Sequence, residues 1–206
     1  MTERNRDEFF TGVKDLLEPI YMTGETPWNQ SGFSGTEERW NRLRRPIAAC
    51  IDRSGTYLDI GCANGYLMEC VARWTEVRGL QVTPHGLDIS EELVKLAQRR
   101  LPAYADRLYA GNAWEWTPPQ TFDFVSTELV YVPEDLRQAY IERLLNLFVA
   151  EDGLLLLSEY RPTKEADNPN WASEYIEAWG YPIDRIESGI DLNGKELTRV
   201  TVISKR

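Results

Sequence analysis

A short turn in the first third of the chain has the residue types and spacing that bind a nucleotide-like cofactor. Gly61, Ala63 and Gly65 place small residues between an apolar run that ends at Ile60 and a periodic apolar pattern that begins at Leu67. Small side chains let the backbone bend sharply and approach a ligand, and the free N–H groups of the next helix point toward that ligand. The pattern predicts a strand, a cofactor loop and a helix, although an ordinary glycine-rich turn would share it.

Two carboxylates flank this loop. Asp59 lies at the end of the strand, just before the turn, where it would repel the pyrophosphate of a dinucleotide. The turn reads G-C-A-N-G over residues 61–65 and so lacks the G-x-G-x-x-G spacing of dinucleotide sites. Asp88 lies at the end of a second predicted strand, residues 83–89, where an acidic side chain can accept hydrogen bonds from both hydroxyls of a ribose. The sequence therefore favours a ribose-containing cofactor that has no pyrophosphate.

The stretch D-I-G-C-A-N-G-Y, residues 59–66, resembles the first motif of the class I S-adenosylmethionine-dependent methyltransferases. The stretch G-L-D-I-S, residues 86–90, resembles their second motif. In that family the loop wraps the methionine portion of the cofactor, and Ala63 stands where the family usually has its middle glycine. The resemblance implies S-adenosyl-L-methionine as the cofactor and S-adenosyl-L-homocysteine as its product.

A third motif of the family usually reads G-D-A, with the acidic side chain on the adenine amino group. Residues 111–113 read G-N-A, so Asn112 takes that place, and its amide oxygen can still accept the bond. The resemblance thus implies these cofactor-binding residues: Asp59, Gly61, Cys62, Ala63, Asn64, Gly65, Asp88, Ile89, Asn112, Ala113 and Glu128.

Polar residues follow a predicted fourth strand, residues 122–126, and ligands of such sheets bind beyond the carboxyl ends of the strands. Glu128 and Tyr131 are the candidate catalytic residues, since both can orient or deprotonate a substrate. Glu128 could instead cap the next helix or contact the cofactor. The N/D-P-P-Y/F signature of amino-group methyltransferases that act on adenine or glutamine is absent.

Further substrate contacts are predicted after the apolar run of residues 154–157, where Glu159 and Tyr160 could form a pocket wall. Glu159 could instead pair with neighbours at the rim, as could Arg161. A separate basic cluster precedes the cofactor loop and could hold an anionic substrate group or form a solvated helix face. The members of this cluster are Arg39, Arg42, Arg44 and Arg45.

Residues 21–35 mix Gly, Ser, Thr and Asn with the aromatic side chains Tyr21, Trp28 and Phe33. A flexible backbone with aromatic anchors predicts a lid over cofactor and substrate. A surface loop pinned to the body by its aromatic residues would have the same composition.

Composition restricts the classes of function. The chain has 206 residues, 42% of them hydrophobic, and this length suits one compact domain. We divide it into N-terminal helices with the aromatic segment, residues 1–53, and a methyltransferase domain, residues 54–206. A net charge of −10 argues against a nucleic-acid binder. The three cysteines lack metal or disulfide spacing, and no apolar run reaches the ~18 residues of a membrane span. We expect a cytoplasmic protein that uses no metal ion and acts on a small molecule.

The elements that must position these residues follow from periodicity and turn signals. An amphipathic helix is predicted to end near Pro19, and a second helix to begin with a Ser34–Glu37 capping box and to kink or restart at Pro46. Pro133 predicts the start of a further helix, and the apolar run of residues 154–157 predicts a central strand buried on both faces. Asn193-Gly194 predicts a terminal hairpin between extended runs at residues 181–191 and 196–204. The expected fold is α/β: a Rossmann-like, seven-stranded, mostly parallel sheet with helices on both faces and an antiparallel C-terminal hairpin.

These features predict a methyltransferase that transfers the sulfonium methyl group in line to an oxygen, nitrogen, sulfur or carbon nucleophile of a small molecule. An S-adenosylmethionine-binding regulatory or scaffold protein without catalysis would share the cofactor loop. A nicotinamide-dependent reductase would share the βαβ start, but Asp59, the missing glycine spacing and the terminal hairpin argue against it.

Overall fold

The computed structural model of the protein describes residues 2–205. At its centre lies one seven-stranded sheet. Its strands are β1 Gly55–Ile60, β2 Val82–Asp88, β3 Leu108–Ala110, β4 Phe122–Glu128, β5 Val149–Tyr160, β6 Arg185–Ile190 and β7 Glu196–Ser204. Their order in space is β3-β2-β1-β4-β5-β7-β6. Strands β1 to β5 are parallel, whereas β7 is antiparallel to β5 and β6. The predicted fold class is confirmed.

Six α-helices surround the sheet: α1 Glu3–Met22, α2 Glu37–Ala49, α3 Tyr66–Glu76, α4 Glu91–Arg100, α5 Arg137–Leu147 and α6 Ala172–Ala178. Helices α2, α3 and α4 contribute to the core on one face, and α1, α5 and α6 to the core on the other. Trp40 of α2 lies in the same core cluster as Val200 of β7, so the N-terminal segment shares its core with the rest of the chain. The division at residue 53 stays a prediction.

Strand β5 shows why the sheet must be covered on both faces. Leu154 and Leu156 belong to one core cluster, and Leu155 and Leu157 belong to the other. Successive side chains of a strand point to opposite faces, so a continuous apolar run is stable only with helices on both sides. The four leucines predicted this central strand correctly.

Helix α1 ends at Met22 and contains Pro19, three residues further than predicted. Proline removes one main-chain donor, but it lies in the last turn, where carbonyl groups already lack helical partners. The Thr23 hydroxyl donates to the carbonyl oxygens of Pro19 and Ile20, at 3.1 and 3.0 Å. This side-chain cap lets the helix continue past the proline.

Helix α2 corrects the predicted capping box and the predicted interruption at Pro46. The Thr36 hydroxyl, rather than Ser34, accepts from the Arg39 N–H at 3.3 Å, and the helix runs through Pro46 to Ala49. Arg78 donates to the Ala48 carbonyl at 2.7 Å, and Arg185 donates to the Cys50 carbonyl. These bonds satisfy carbonyl groups at the end of the helix, so the proline does not divide it.

Two further boundaries differ from expectation. Residues 134–136 form a 3₁₀ turn, so α5 begins at Arg137 rather than at Pro133. The hairpin strand β6 begins at Arg185 rather than at Tyr181. In the hairpin turn, the Asp191 carboxylate accepts from the N–H groups of Asn193 and Lys195, which fixes the connection to β7.

The topology places the candidate residues together. Strand β1 pairs with β2 on one side and β4 on the other, and in sheets of this kind ligands bind outside the carboxyl ends of the strands. Asp88 and Glu128 end β2 and β4 at this edge. Within residues 2–205, no helix combines the length and the apolar character that a membrane crossing needs.

Candidate active site

The loop after β1 turns through three residues in the left-handed region. Gly61, Ala63 and Gly65 have φ values of 82°, 46° and 74°. The N–H groups of Gly61 and Cys62 donate to the Leu87 carbonyl at 2.8 and 3.1 Å, which holds the loop against β2. A residue with a Cβ is strained by about 1–2 kcal/mol in this region, so Ala63 stores strain where a glycine would not.

Gly61 is required for space as well as for conformation. A Cβ atom built on Gly61 would lie 2.6 Å from ring atoms of Tyr131. The Tyr131 ring therefore rests directly on the loop backbone, and any side chain at position 61 would displace it.

Asp88 ties the loop to the end of β2. Its carboxylate accepts from the Ala63 N–H and from the Ser90 N–H, both at 2.8 Å. Burial raises the pKa of Asp88 to about 6, and the two N–H bonds oppose this rise. Each carboxylate oxygen can accept further bonds, so Asp88 can also accept from a ligand in the adjacent cavity.

A cavity of about 340 Å³ lies at this edge of the sheet, within the size range of small-molecule sites. The loop, α1, the end of β2, residues 111–113 and the end of β4 form its walls. It brings together most of the predicted site residues: Tyr21, Gly61, Asp88, Ile89, Asn112, Ala113, Glu128, Tyr131 and Tyr160.

The structure places the remaining candidates elsewhere. Asp59, Cys62 and Ala63 line a smaller chamber beside the main cavity. The Asn64 amide donates to the Pro27 carbonyl at 2.9 Å, and a Cβ on Gly65 would meet Leu101. These two residues anchor the loop and α3, and their predicted contact with the cofactor stays a prediction.

The smaller chamber has a volume of about 50 Å³ and polar walls, which is room for water. Asp59 is only 4% exposed, and the Tyr57 hydroxyl donates to its carboxylate at 3.4 Å. Burial raises the pKa of Asp59 to about 8. The Ser158 hydroxyl is also buried here. Burial raises the pKa of Tyr160, and the hydrogen bond between Ser158 and Tyr160 opposes this larger effect.

Glu128 and Tyr131 form a hydrogen-bonded pair in the main cavity, with the Tyr131 hydroxyl donating to Glu128 Oε1 at 2.8 Å. Burial raises the pKa of Glu128 above its usual range, and the Arg44 charge opposes this rise. Burial and the Glu128 charge raise the pKa of Tyr131 well above its usual value. Tyr131 therefore stays a hydrogen-bond donor, and Glu128 is the group of the pair that can accept a proton.

Arg44 is the member of the predicted basic cluster that reaches the candidate site. It lines both the main cavity and the chamber, and its guanidinium carbon lies 3.4 Å from the centroid of the Tyr160 ring. Arg42 instead pairs with Glu38 at 3.5 Å, and Arg45 lies over Trp74. The available signal was helical spacing, since Arg44 follows the buried Trp40 by four residues.

Helix α1 forms a wall of the cavity through Phe10, Val13, Lys14, Leu17 and Glu18. Glu18 Oε2 accepts from the Ser90 hydroxyl at 2.5 Å, which connects α1 to the start of α4. The amphipathic pattern predicted that this helix covers a surface. It did not predict which surface, and two residues of the pattern, Leu16 and Ile20, are 65% and 56% exposed.

The aromatic segment of residues 21–35 is held by its own hydrogen bonds. Trp28 Nε1 donates to the Gly35 carbonyl at 3.0 Å, and the Asn29 amide donates to the Phe33 carbonyl at 2.8 Å. Tyr21 reaches the main cavity, whereas Trp28 and Phe33 pack outside it. The segment is pinned in this conformation, and its motion as a lid stays a prediction.

Glu159 adopts the rim arrangement that the sequence left as an alternative. Its carboxylate accepts from Arg161 at 2.8 Å and from the Ala172 N–H at 2.6 Å. It lines a neighbouring cavity rather than the main one. Among residues 2–205, no cluster of three or more His, Cys, Asp or Glu side chains is arranged to hold a metal ion.

The sequence of residues 58–149 matches the family model described as a methyltransferase domain. No curated protein sequence matches the chain at a significant level. The matched segment contains the end of β1, the loop, β2, β3, β4 and the Glu128–Tyr131 pair. It leaves out the cavity residues of the N-terminal segment and Tyr160 of β5.

Solved methyltransferases share the fold. N-methyltransferase NodS from Bradyrhizobium japonicum, solved with S-adenosylhomocysteine, has a TM-score of 0.66 at 16% identity over 92% of this chain and 96% of that chain. The 1,6-didemethyltoxoflavin-N1-methyltransferase from Burkholderia thailandensis, solved with its substrate and S-adenosylhomocysteine, has a TM-score of 0.65 at 16% identity, over 97% of this chain and 90% of that one.

The fold also accommodates other chemistry, since the [4+2]-cyclase SpnF has a TM-score of 0.63 at 16% identity over 94% of both chains. The match of residues 58–149 to the methyltransferase domain is therefore stronger evidence of function than the similarity of fold. Residues 58–149 thus match a methyltransferase domain, and the seven-stranded sheet around them has the fold of solved S-adenosylmethionine-dependent methyltransferases.

Proposed function

We propose that this enzyme transfers the methyl group of S-adenosylmethionine in line to a nucleophilic atom of a small-molecule acceptor. One observation carries the proposal. A single cavity has a left-handed small-residue loop and a buried carboxylate, Asp88, on one side and the hydrogen-bonded Glu128–Tyr131 pair on the other.

The residues present fit this cofactor. Asp88 has free acceptor capacity for ribose hydroxyls, and Asn112 and Ala113 lie beside it for the adenine. Arg44 supplies a positive charge near the loop, suited to the carboxylate of the methionine portion. The close approach of the backbone at Gly61, which a Cβ would prevent, gives the methionine portion its surface.

S-adenosylmethionine, when bound, supplies a methyl group that is already electrophilic. The chain must therefore hold the acceptor in line and exclude water. Glu128 accepts the proton of the nucleophile or orients it, and the protonated Tyr131 fixes the Glu128 carboxylate. The apolar residues of α1, namely Phe10, Val13 and Leu17, keep water from that side of the cavity.

Calorimetric titration with S-adenosylmethionine, S-adenosylhomocysteine and NADH tests the cofactor. We expect saturable binding of both sulfur ligands and none of NADH. Binding of NADH alone would support a reductase and overturn the proposal. Methyl transfer from labelled cofactor to a metabolite panel then separates an enzyme from a binding protein without catalysis. Two structural neighbours are N-methyltransferases, so amines form the first part of the panel.

Asp88→Ala tests the ribose contact. We expect cofactor affinity to fall by about 1–3 kcal/mol because charge-assisted hydrogen bonds are lost. Glu91→Ala is the control, since Glu91 is an exposed carboxylate in the first turn of α4. Circular dichroism checks that both variants fold. Unchanged affinity in Asp88→Ala would remove this residue from the site.

We also infer a cytoplasmic location. Cys50, Cys62 and Cys70 are all buried and unpaired within the described part of the chain, a state typical of a reducing compartment. Measurement of free thiols in protein purified from its native cells tests this inference.

A further inference from the structure

A second cavity, of about 310 Å³, lies next to the cofactor cavity and has no assigned role. It is formed by the ends of β4 and β5, the segment of residues 161–171 and the start of α6. We call it the side cavity. It shares Glu128, Val130 and Tyr160 with the main cavity.

Glu128 and Tyr160 line the main cavity, the side cavity and the polar chamber. The three spaces therefore meet where the proton-accepting carboxyl group lies. A molecule in the side cavity can place one atom at Glu128 while its remainder stays outside the main cavity.

Most charges of the side cavity are already neutralised. Arg161 donates to Glu159 at 2.8 Å and also to the carbonyl groups of Asn168 and Asn170, so each of its three nitrogens makes a hydrogen bond and its charge is paired with Glu159. Glu159 is engaged by Arg161 and by the Ala172 N–H. Glu165 is exposed to solvent at the rim, where water screens its charge.

Arg137 is the exception. Its Nε donates to the Leu129 carbonyl at 3.2 Å. Its ion pair among residues 2–205 is with Glu134 at 3.7 Å, and the Glu134 side chain is 87% exposed. Such a pair contributes little. The Arg137 side chain itself is only 19% exposed. Burial raises the pKa of Tyr175, and the Arg137 charge and its hydrogen bond with the neutral Tyr175 hydroxyl oppose this larger effect.

The rest of the lining is suited to an apolar body. Leu157 is buried, Val130 is exposed at the mouth, and Tyr160 and Tyr175 present aromatic rings. One cation without a buried anionic partner, beside apolar and aromatic side chains, matches a small organic molecule with one negative charge.

We propose that the side cavity binds the methyl acceptor, and that the acceptor carries a carboxylate that Arg137 holds. The apolar part of the acceptor lies against Leu157 and Tyr175, and its nucleophilic atom points to Glu128. Arginine presents parallel N–H donors that match the two oxygens of a carboxylate. This assignment rests on the proposed function, because it names the acceptor class for the same reaction.

Benzoate and benzamide are the probes, because they share a flat apolar ring and differ in charge. Each is titrated calorimetrically into the protein saturated with S-adenosylhomocysteine, so that the main cavity is filled. We expect benzoate to bind at least about tenfold more tightly than benzamide. Absence of benzoate binding, or equal binding of the two probes, overturns the proposal.

Arg137→Gln locates the binding. We expect it to weaken benzoate at least about tenfold while the affinity for S-adenosylhomocysteine stays within about twofold. Arg42→Gln is the control, since it removes an exposed arginine that pairs with Glu38 on α2. Unchanged benzoate affinity in Arg137→Gln overturns the proposal. If that variant does not fold, Arg137→Lys decides, with a loss of at least about fivefold expected because lysine lacks the paired donors.

The two proposals fail separately. If S-adenosylhomocysteine does not bind, the cofactor assignment falls, and benzoate is titrated into the free protein to test Arg137 alone. If S-adenosylhomocysteine binds and benzoate does not, the carboxylate acceptor falls and the cofactor assignment stands.

Discussion

The two halves of the site are built differently. On the side proposed for the cofactor, the lining comes from main-chain groups of one short loop and from Asp88, which accepts a hydrogen bond from that loop. On the side proposed for the acceptor, the lining comes from long side chains of separate elements, among them Arg137 on α5 and Tyr160 on β5. A site built from main-chain groups tolerates few substitutions, because the loop conformation depends on several residues together. Long side chains can be substituted one at a time. This difference explains how a fold can keep one methyl donor and serve many acceptors.

Within the acceptor side, structural and ligand-facing residues are also distinct. Arg161 and Arg199 lie over the Trp171 ring, 3.6 and 4.5 Å from its centroid. Arg161 is buried and holds residues 161–171 in place through Asn168 and Asn170. It is therefore part of the scaffold of the side cavity rather than a ligand contact.

The largest effect is expected for Arg161→Ala, which separates scaffold from ligand contact. Removing one partner of a buried ion pair destabilises a protein by about 3–5 kcal/mol, so we expect a loss near that range in urea unfolding. Affinity for S-adenosylhomocysteine should not change. Arg199→Ala is the matched control, and its more exposed pair with Glu196 should contribute about 1 kcal/mol or less. Equal losses for the two variants would contradict this division.

Gly61→Ala tests whether the cofactor side depends on its backbone. The left-handed conformation costs alanine about 1–2 kcal/mol, and the new methyl group would displace Tyr131. Gly79→Ala is the control, because Gly79 has a φ of 78° and its Cβ would meet no described atom within 4 Å. Both variants should lose stability in urea unfolding, but only Gly61→Ala should weaken S-adenosylhomocysteine in calorimetry. Equal affinities of the two variants for S-adenosylhomocysteine would show that the loop accommodates a methyl group at position 61.

Asp59→Asn tests the buried carboxyl between the two halves. Its folded pKa of about 8 lies above the usual 3.8, so between these values the folded state holds a proton that the unfolded state has released. The free energy of unfolding of the wild type should therefore fall as pH rises through this window, by up to about 1.4 kcal/mol per pH unit from this group.

Asp59→Asn should lack that contribution, so its stability relative to wild type should increase from pH ~5 to ~8 and then level off. Urea unfolding of both proteins without ligand measures the difference. Asp88, whose pKa is raised to about 6, affects both proteins alike. A difference that does not vary with pH would show that Asp59 is charged in the folded state.

The smallest effect is expected for Tyr131→Phe, which removes the bond to Glu128 and keeps the ring on the loop. One hydrogen bond to a carboxylate contributes about 1.5 kcal/mol at the low end, so methyl transfer should slow by about tenfold, with S-adenosylhomocysteine affinity unchanged. Tyr140→Phe is the control, because its hydroxyl bonds Thr127 rather than Glu128. Equal slowing in both variants would remove Tyr131 from the reaction.

The same division decides what could be predicted from sequence. The cofactor loop and Asp88 could be identified because each lies in a short contiguous motif. The residue types of such a motif are set by local backbone conformation and by ligand contact. Glu18 and Arg137 could not, because their positions depend on how helices pack across the sheet; Glu18 and Ser90 are separated by 72 residues in sequence. Arg44 could be named only as one of four arginines, for the same reason. The boundary errors at Pro19 and Pro46 have a similar cause, since a threonine hydroxyl and distant arginines satisfy the exposed carbonyl groups.

The left-handed Ala63 has a consequence for protein engineering. Most active-site residues cannot be changed to gain thermostability, because their side chains contact ligands. Ala63 has a side chain of one methyl group, and the Asp88 bond is made by its main-chain N–H, which a glycine would retain. Glycine at this position would release the backbone strain while preserving that bond. The binding loop is thus a place where resistance to heat can be increased without redesigning the site.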